Sequence, residues 1–187
     1  MSPPLAVSIR RTITALLAAA LVSRAAFAGQ DVSPPALRAA FLYTFVKFTD
    51  WSKDAPTGPV AMCVLGDTAV ADALVQVVAG RTVNGRDLTV VAVSPGRPLR
   101  TCHLLYVGGA DAARAARALD EVAGAPVLTV GDGEAFVRQG GIAGLYIEAE
   151  KMRFAISPES AVRAGLRLSS KLLGLARIVK DDAHVQS

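Results

Sequence analysis

Histidine and cysteine are nearly missing from this chain, with two of each in 187 residues. That scarcity argues against a structural zinc site, which takes about four nitrogen or sulfur ligands. Cys63, Cys102 and the neighbouring His103 are too few and wrongly spaced for one. It also thins the supply of general bases. Neither His103 nor His184 stands beside an obvious nucleophile, and no Gly-x-Ser-x-Gly elbow, P-loop or His-Glu-x-x-His pattern occurs. Gly131-Asp132-Gly133 is a fragment of a nucleotide loop without the full glycine fingerprint, and reads as a tight strand-to-helix turn with a capping Asp. No catalytic, cofactor or metal-binding residues are assigned from the sequence.

Long apolar runs are also scarce. After Ala28 none reaches the roughly 20 residues that a membrane-spanning helix requires. The first 28 residues are a different matter. Arg10 and Arg11 precede the apolar stretch Thr12 to Val22, and the small-residue triplet Ala26-Phe27-Ala28 follows. A charged start, a short apolar middle and an A-x-A end predict a secretory signal peptide cleaved after Ala28. The arginine pair leaves Sec and twin-arginine export both open. No Cys follows the stretch, which argues against a lipid anchor. The expected mature protein is periplasmic: one domain over residues 29–180, then a loose polar tail over 181–187.

Charge of either sign is modest. The formal +4 includes Arg10, Arg11 and Arg24, so removal of the leader lowers it to +1. A near-neutral domain has no electrostatic footprint for nucleic acid. In an exported chain the even cysteine count predicts a Cys63–Cys102 disulfide, with two buried free thiols as the alternative.

What is present is a regular alternation. Ser33, followed by Pro34 and Pro35, starts a helix on which Leu37, Phe41, Phe45 and Phe48 fall on one narrow face, with Trp51 near its end. Strands are expected at Val60 to Leu65, Leu88 to Val93, His103 to Val107 and Val127 to Val130, with Pro95 to Pro98 breaking the second. Helices are expected from Asp67 or Thr68 to Val78, over Asp111 to Val122, and over Glu134 to Arg138. Asn84-Gly85 signals a turn. Gly144 to Glu148 and Met152 to Ile156 form an antiparallel hairpin across Ala149-Glu150-Lys151. Pro158 to Ala164 reads as a helix. The spacing of Leu168, Leu172, Leu175, Ala176 and Val179 predicts a last amphipathic helix. The fold class is therefore α/β: a single-domain sandwich with a mixed, mostly parallel sheet, helices on both faces and an antiparallel edge hairpin.

Several residues qualify as contacts for a partner or ligand. Tyr43 and Trp51 are the aromatics expected to stay partly exposed. Asp67 and Asp132 end strands, where open sheets bind ligands. Arg153, Arg163 and Arg167 cluster around the late hairpin and the helix after it, and suit an anion or an acidic patch.

Taken in order, these segments resemble the YfiR-like family of periplasmic proteins. The resemblance rests on Ala39 to Tyr43 with Phe45, Lys47, Phe48 and Trp51; on Cys63 to Asp67; and on Gly80 to Arg86. It continues through Cys102-His103, Val127 to Asp132, Phe136, Gly140-Gly141, Arg153-Phe154 and Ala164 to Leu173, ending in Leu175-Ala176-Arg177. It implies an α/β sandwich and a non-enzymatic repressor that binds the periplasmic sensor domain of an inner-membrane diguanylate cyclase. That binding would lower cyclic-di-GMP and restrain biofilm formation. It further implies an OmpA-like outer-membrane lipoprotein that sequesters the repressor, and a homodimer. Cys63 and Cys102 match the family's common pair. The second pair of some relatives has no counterpart here, since Ile142 to Ile147 contains no Cys. The alternative is a periplasmic small-molecule sensor with its ligand near Asp67 and Asp132.

Overall fold

A computed structural model of the chain describes residues 34–94 and 96–180. The expected leader, the Ser33 cap, the break at Pro95, and the tail with His184 lie outside the described residues.

Helix α1 (Pro34–Lys47) starts on two prolines, whose missing N–H groups cost nothing in a first turn. Its buried face is Ala39, Leu42, Phe45 and Val46, not the expected Phe41, Phe45 and Phe48 stripe. Apolar residues surround this helix, so the sequence pattern alone does not single out one face. Phe41 and Phe48 lie half-buried at the rim, where Phe41 and Phe45 both meet Phe154 edge-on at 5.8 and 5.2 Å. Trp51 follows the helix end, within the short strand β1 (Thr49–Trp51).

The chain then runs β2 (Val60–Leu65), α2 (Thr68–Val78), β3 (Thr82–Val83), β4 (Arg86–Ala92), β5 (Leu104–Val107), α3 (Ala112–Glu121), β6 (Leu128–Asp132) and α4 (Gly133–Arg138). Next come β7 (Ala143–Glu148), β8 (Lys151–Ile156), α5 (Pro158–Arg163), β9 (Leu166–Leu168), α6 (Ser170–Leu173) and β10 (Arg177–Ile178). Eight strands form one sheet in the order β10-β8-β7-β6-β5-β2-β4-β3, and β1 pairs with β9 in a separate antiparallel ribbon. The pairs from β4 through β2, β5 and β6 to β7 are parallel, whereas β7–β8 and β3–β4 are antiparallel. From β2 the chain moves outward to β4, then crosses to β5 on the opposite side, so the connections reverse beside β2.

Strand alternation sorts the core. Met62, Val64, Leu104 and Tyr106 face α1 and α2, while Cys63, Leu105 and Val107 face Ala115 and Ala118 of α3. The Cys63–Cys102 disulfide sits in this second layer with a Cα separation of 5.9 Å, tying β2 to the residue before His103. Asp67 caps α2 by accepting the Val70 amide at 3.0 Å, and Asp111 caps α3 in the same way.

Two expectations are corrected. The hairpin β7–β8 is not the sheet's edge, because β10 adds in parallel to β8 through Ala155 and Ile156. The long C-terminal helix does not form. Its apolar repeat is divided among β9, the single turn α6, and β10. Ser169 restarts the helix by accepting the Lys171 amide, and Gly174 closes it. Pairing β9 with β1 and β10 with β8 satisfies backbone groups that a continuous helix would leave open at two strand edges. Leu172 and Val179 are still buried, while Leu175 stays 77% exposed. Among the described residues no helix is long and apolar enough to cross a membrane.

Candidate functional site

The residues singled out by sequence do not gather into one site. Trp51 and Arg167 come together, because the β1–β9 register sets Asp50 opposite Arg167 and Trp51 opposite Leu166. With Leu168, Pro158 and Val162 they line a groove of about 620 Å³. Its character is mostly apolar, and Val162 is 73% exposed beside it. Exposed aliphatic and aromatic groups with a charged rim are the composition of a docking patch.

Trp51 is held from behind. Its indole N–H donates to the His103 carbonyl at 3.2 Å, and its ring stands edge-on to the imidazole at 5.9 Å. His103 is buried at the start of β5 and joins three segments. Its Nδ1 accepts the Ala61 amide at 3.0 Å, which assigns the ring proton to Nε2. Nε2 donates to the Pro56 carbonyl at 2.8 Å, fastening the loop over residues 52–59 to the sheet. Arg86 lies 2.8 Å from the same nitrogen, but both groups are donors. Its guanidinium donates instead to Pro56 O at 3.0 Å and Gly58 O at 2.6 Å. Burial holds the His103 pKa below its ordinary value, against the Pro56 carbonyl, and the Arg86 charge lowers it further. Both ring nitrogens are occupied by backbone partners, so His103 faces no hydroxyl to activate. Sequence reasoning passed over this cluster. Its signals were the Cys102-His103 pair and the Arg86 that follows the Asn84-Gly85 turn.

Asp132 is an exposed hub of hydrogen bonds at the end of β6. Its carboxylate does not cap α4; it accepts the Tyr106 phenol at 3.1 Å and the Gly109 amide at 3.2 Å, and lies 3.5 Å from Arg38 Nε. Tyr106 is fully buried, and burial with the adjacent carboxylate raises its pKa far above the ordinary range. Asp67 lies at the neighbouring strand end, occupied by its capping bond.

The remaining candidates are dispersed. Tyr43 stacks under two cations, Arg81 at 5.1 Å and Lys47 at 5.6 Å. Arg163 donates to Ser160 Oγ at 2.9 Å and lines a separate hollow with Thr129 and Gln139. Arg153 lies 4.0 Å from Glu148, part of a surface network in which Arg177 bridges Glu134 and Glu148 at 2.8 Å each. Among the described residues no group of three or more His, Cys, Asp or Glu is arranged to hold a metal ion.

Together the sheet, the buried disulfide and the apolar groove define a disulfide-braced α/β domain that offers surfaces. The YfiR/HmsC-like family matches residues 35–177, most of the chain, and the chain belongs to that family. The family is regulatory rather than catalytic, and periplasmic. The fold is similar to the crystal structure of a conserved domain protein from Vibrio cholerae O1 biovar eltor, at 12% identity and a TM-score of 0.55. That likeness covers 79% of this chain and 60% of the other. Among curated proteins none matches the chain.

Proposed function

We propose that this protein is a non-enzymatic periplasmic regulator that binds the sensor domain of an inner-membrane diguanylate cyclase and holds it inactive. The observation that carries the reading is the family match across residues 35–177. The exposed groove at Trp51, Val162 and Arg167 supports it with a surface suited to a protein partner. In this reading residues 1–28 are a leader removed after Ala28, and the remainder acts as one oxidised domain. It works as a homodimer, and an OmpA-like outer-membrane lipoprotein competes for it and releases the cyclase.

Inhibition requires the regulator to favour the inactive sensor over the active one. Driving that equilibrium from 1:99 to 99:1 takes a difference of about 5.5 kcal/mol. Burial of apolar surface contributes about 25 cal/mol per Å², so a patch of a few hundred Å² used in only one sensor state is of the right order. Deleting the gene in cells that express the cyclase is expected to raise cyclic-di-GMP. Restoring it with V162D/R167E is expected to leave the level high, with the variant's circular dichroism checked to match the wild type. Unchanged cyclic-di-GMP on deletion contradicts the role.

A further inference from the structure

Beside the point where the connections reverse, a cavity of about 500 Å³ opens at the carboxyl ends of β2 and β4, between α2 and α3. Open α/β sheets place small ligands at such crevices. Leu65, Ala92 and Val93 give it an apolar wall, and Asp67, Arg114 and Arg117 give it charge. Arg114 and Arg117 are three residues apart on α3 and so share a face.

These two arginines differ from most others in the described chain. Arg38 meets Asp132, Arg86 holds Gly58 and Pro56, Arg138 and Arg177 meet Glu134, and Arg100 holds the Glu121 carbonyl. The Arg114 and Arg117 side chains have neither a hydrogen bond nor an ion pair among the described residues. The nearest carboxylate in the cavity, Asp67, is turned to the Val70 amide. Arg114 Nη1 lies 3.7 Å from where a side chain at Gly66 would begin, so that guanidinium lies against the end of β2.

We propose that this cavity binds a small molecule with one anionic head, a carboxylate or a phosphate, on an apolar body. Arg114 and Arg117 hold the head through their planar forks, which match either oxyanion. Leu65, Ala92 and Val93 hold the body. Asp67 at the cavity wall repels further negative charge and so selects against polyanions. The volume falls within the roughly 300–1,000 Å³ of small-molecule sites, and the concave shape favours a small ligand over the flat acidic patch of a protein. The site uses none of the groove residues, so it does not rest on the regulatory reading.

The test is calorimetric titration of the full chain, at constant ionic strength, with hexanoate, hexyl phosphate and hexanol. Saturable one-to-one binding of at least one of the two anions is expected, with hexanol far weaker. The preferred anion identifies the head as carboxylate or phosphate. The variant R114Q/R117Q is expected to unfold like the wild type without ligand and to bind at least about tenfold more weakly. The variant K53Q/K151Q removes the same charge from exposed sites outside the cavity and is expected to bind like the wild type. Equal weakening in both variants means general charge screening and overturns the proposal. So does hexanol binding as tightly as the anions, or neither anion saturating. If R114Q/R117Q keeps anion affinity but loses cyclase inhibition, the pair is a protein contact and the proposal fails.

Discussion

Trp51 and His103 form the joint between the outer groove and the core: the indole of one donates to the backbone carbonyl of the other at 3.2 Å. The same histidine fixes the loop over residues 52–59 through Pro56, so the aromatic floor of the groove is positioned by a buried neutral imidazole. Protonation of that ring would set an N–H against the Ala61 amide at Nδ1 and a positive charge beside Arg86.

Stability is therefore expected to fall with acid in a defined window. Burial, together with Arg86, lowers the folded pKa of His103 from 6.5. Below that value the unfolded chain binds a proton that the native state refuses, so stability is complete above it and declines as the pH falls beneath it. One such proton contributes a slope of at most about 1.4 kcal/mol per pH unit. Urea unfolding at about pH 7.5 and about pH 5.5 should show a larger loss for the wild type than for H103N. Equal losses would assign the dependence to other groups.

The disulfide closes a separation of 39 residues between two buried positions. Chain-entropy reasoning puts its contribution at about 4 kcal/mol, and measured values are often smaller. C63S/C102S, or reduction of the wild type, should lower the thermal midpoint with the secondary structure retained in circular dichroism. No shift on reduction would mean that the bond does not constrain the unfolded chain.

The hairpin β7–β8 turns through Ala149 and Glu150 at φ of 48° and 61°, a region that side chains with a Cβ enter at a cost. Asn-Gly is the pair suited to such a turn. A149N/E150G should raise stability by about 1 kcal/mol, read as a higher urea midpoint with an unchanged slope.

Tyr106 is completely buried with its hydroxyl on Asp132. Y106F removes the donor, and because Asp132 is exposed water takes its place, so it should cost about 1 kcal/mol, the net value of one hydrogen bond. A cost near zero would show that the phenol–carboxylate bond adds nothing over solvation of Asp132 by water.

The sequence made the alternating centre of the fold readable. Asp67 and Asp111 cap where polar residues follow apolar runs, and Cys63 and Cys102 meet as the even cysteine count predicts. The C-terminal segment was not readable, because its helical periodicity is local while the partners of β9 and β10 lie on distant strands. Asp132 carries the same Gly-Asp signature as Asp67, yet Tyr106 and Gly109 capture its carboxylate in space. The candidate groove was half legible. Trp51 and Arg167 stand out by type, but only the β1–β9 pairing places them together.

The most direct test of the account is cyclase activity in membrane vesicles titrated with the purified mature domain. A saturable fall in cyclic-di-GMP synthesis, lost with V162D/R167E and kept with A149N/E150G, is the predicted result. Synthesis that continues unchanged at saturating protein, with no binding to the sensor domain, would contradict it.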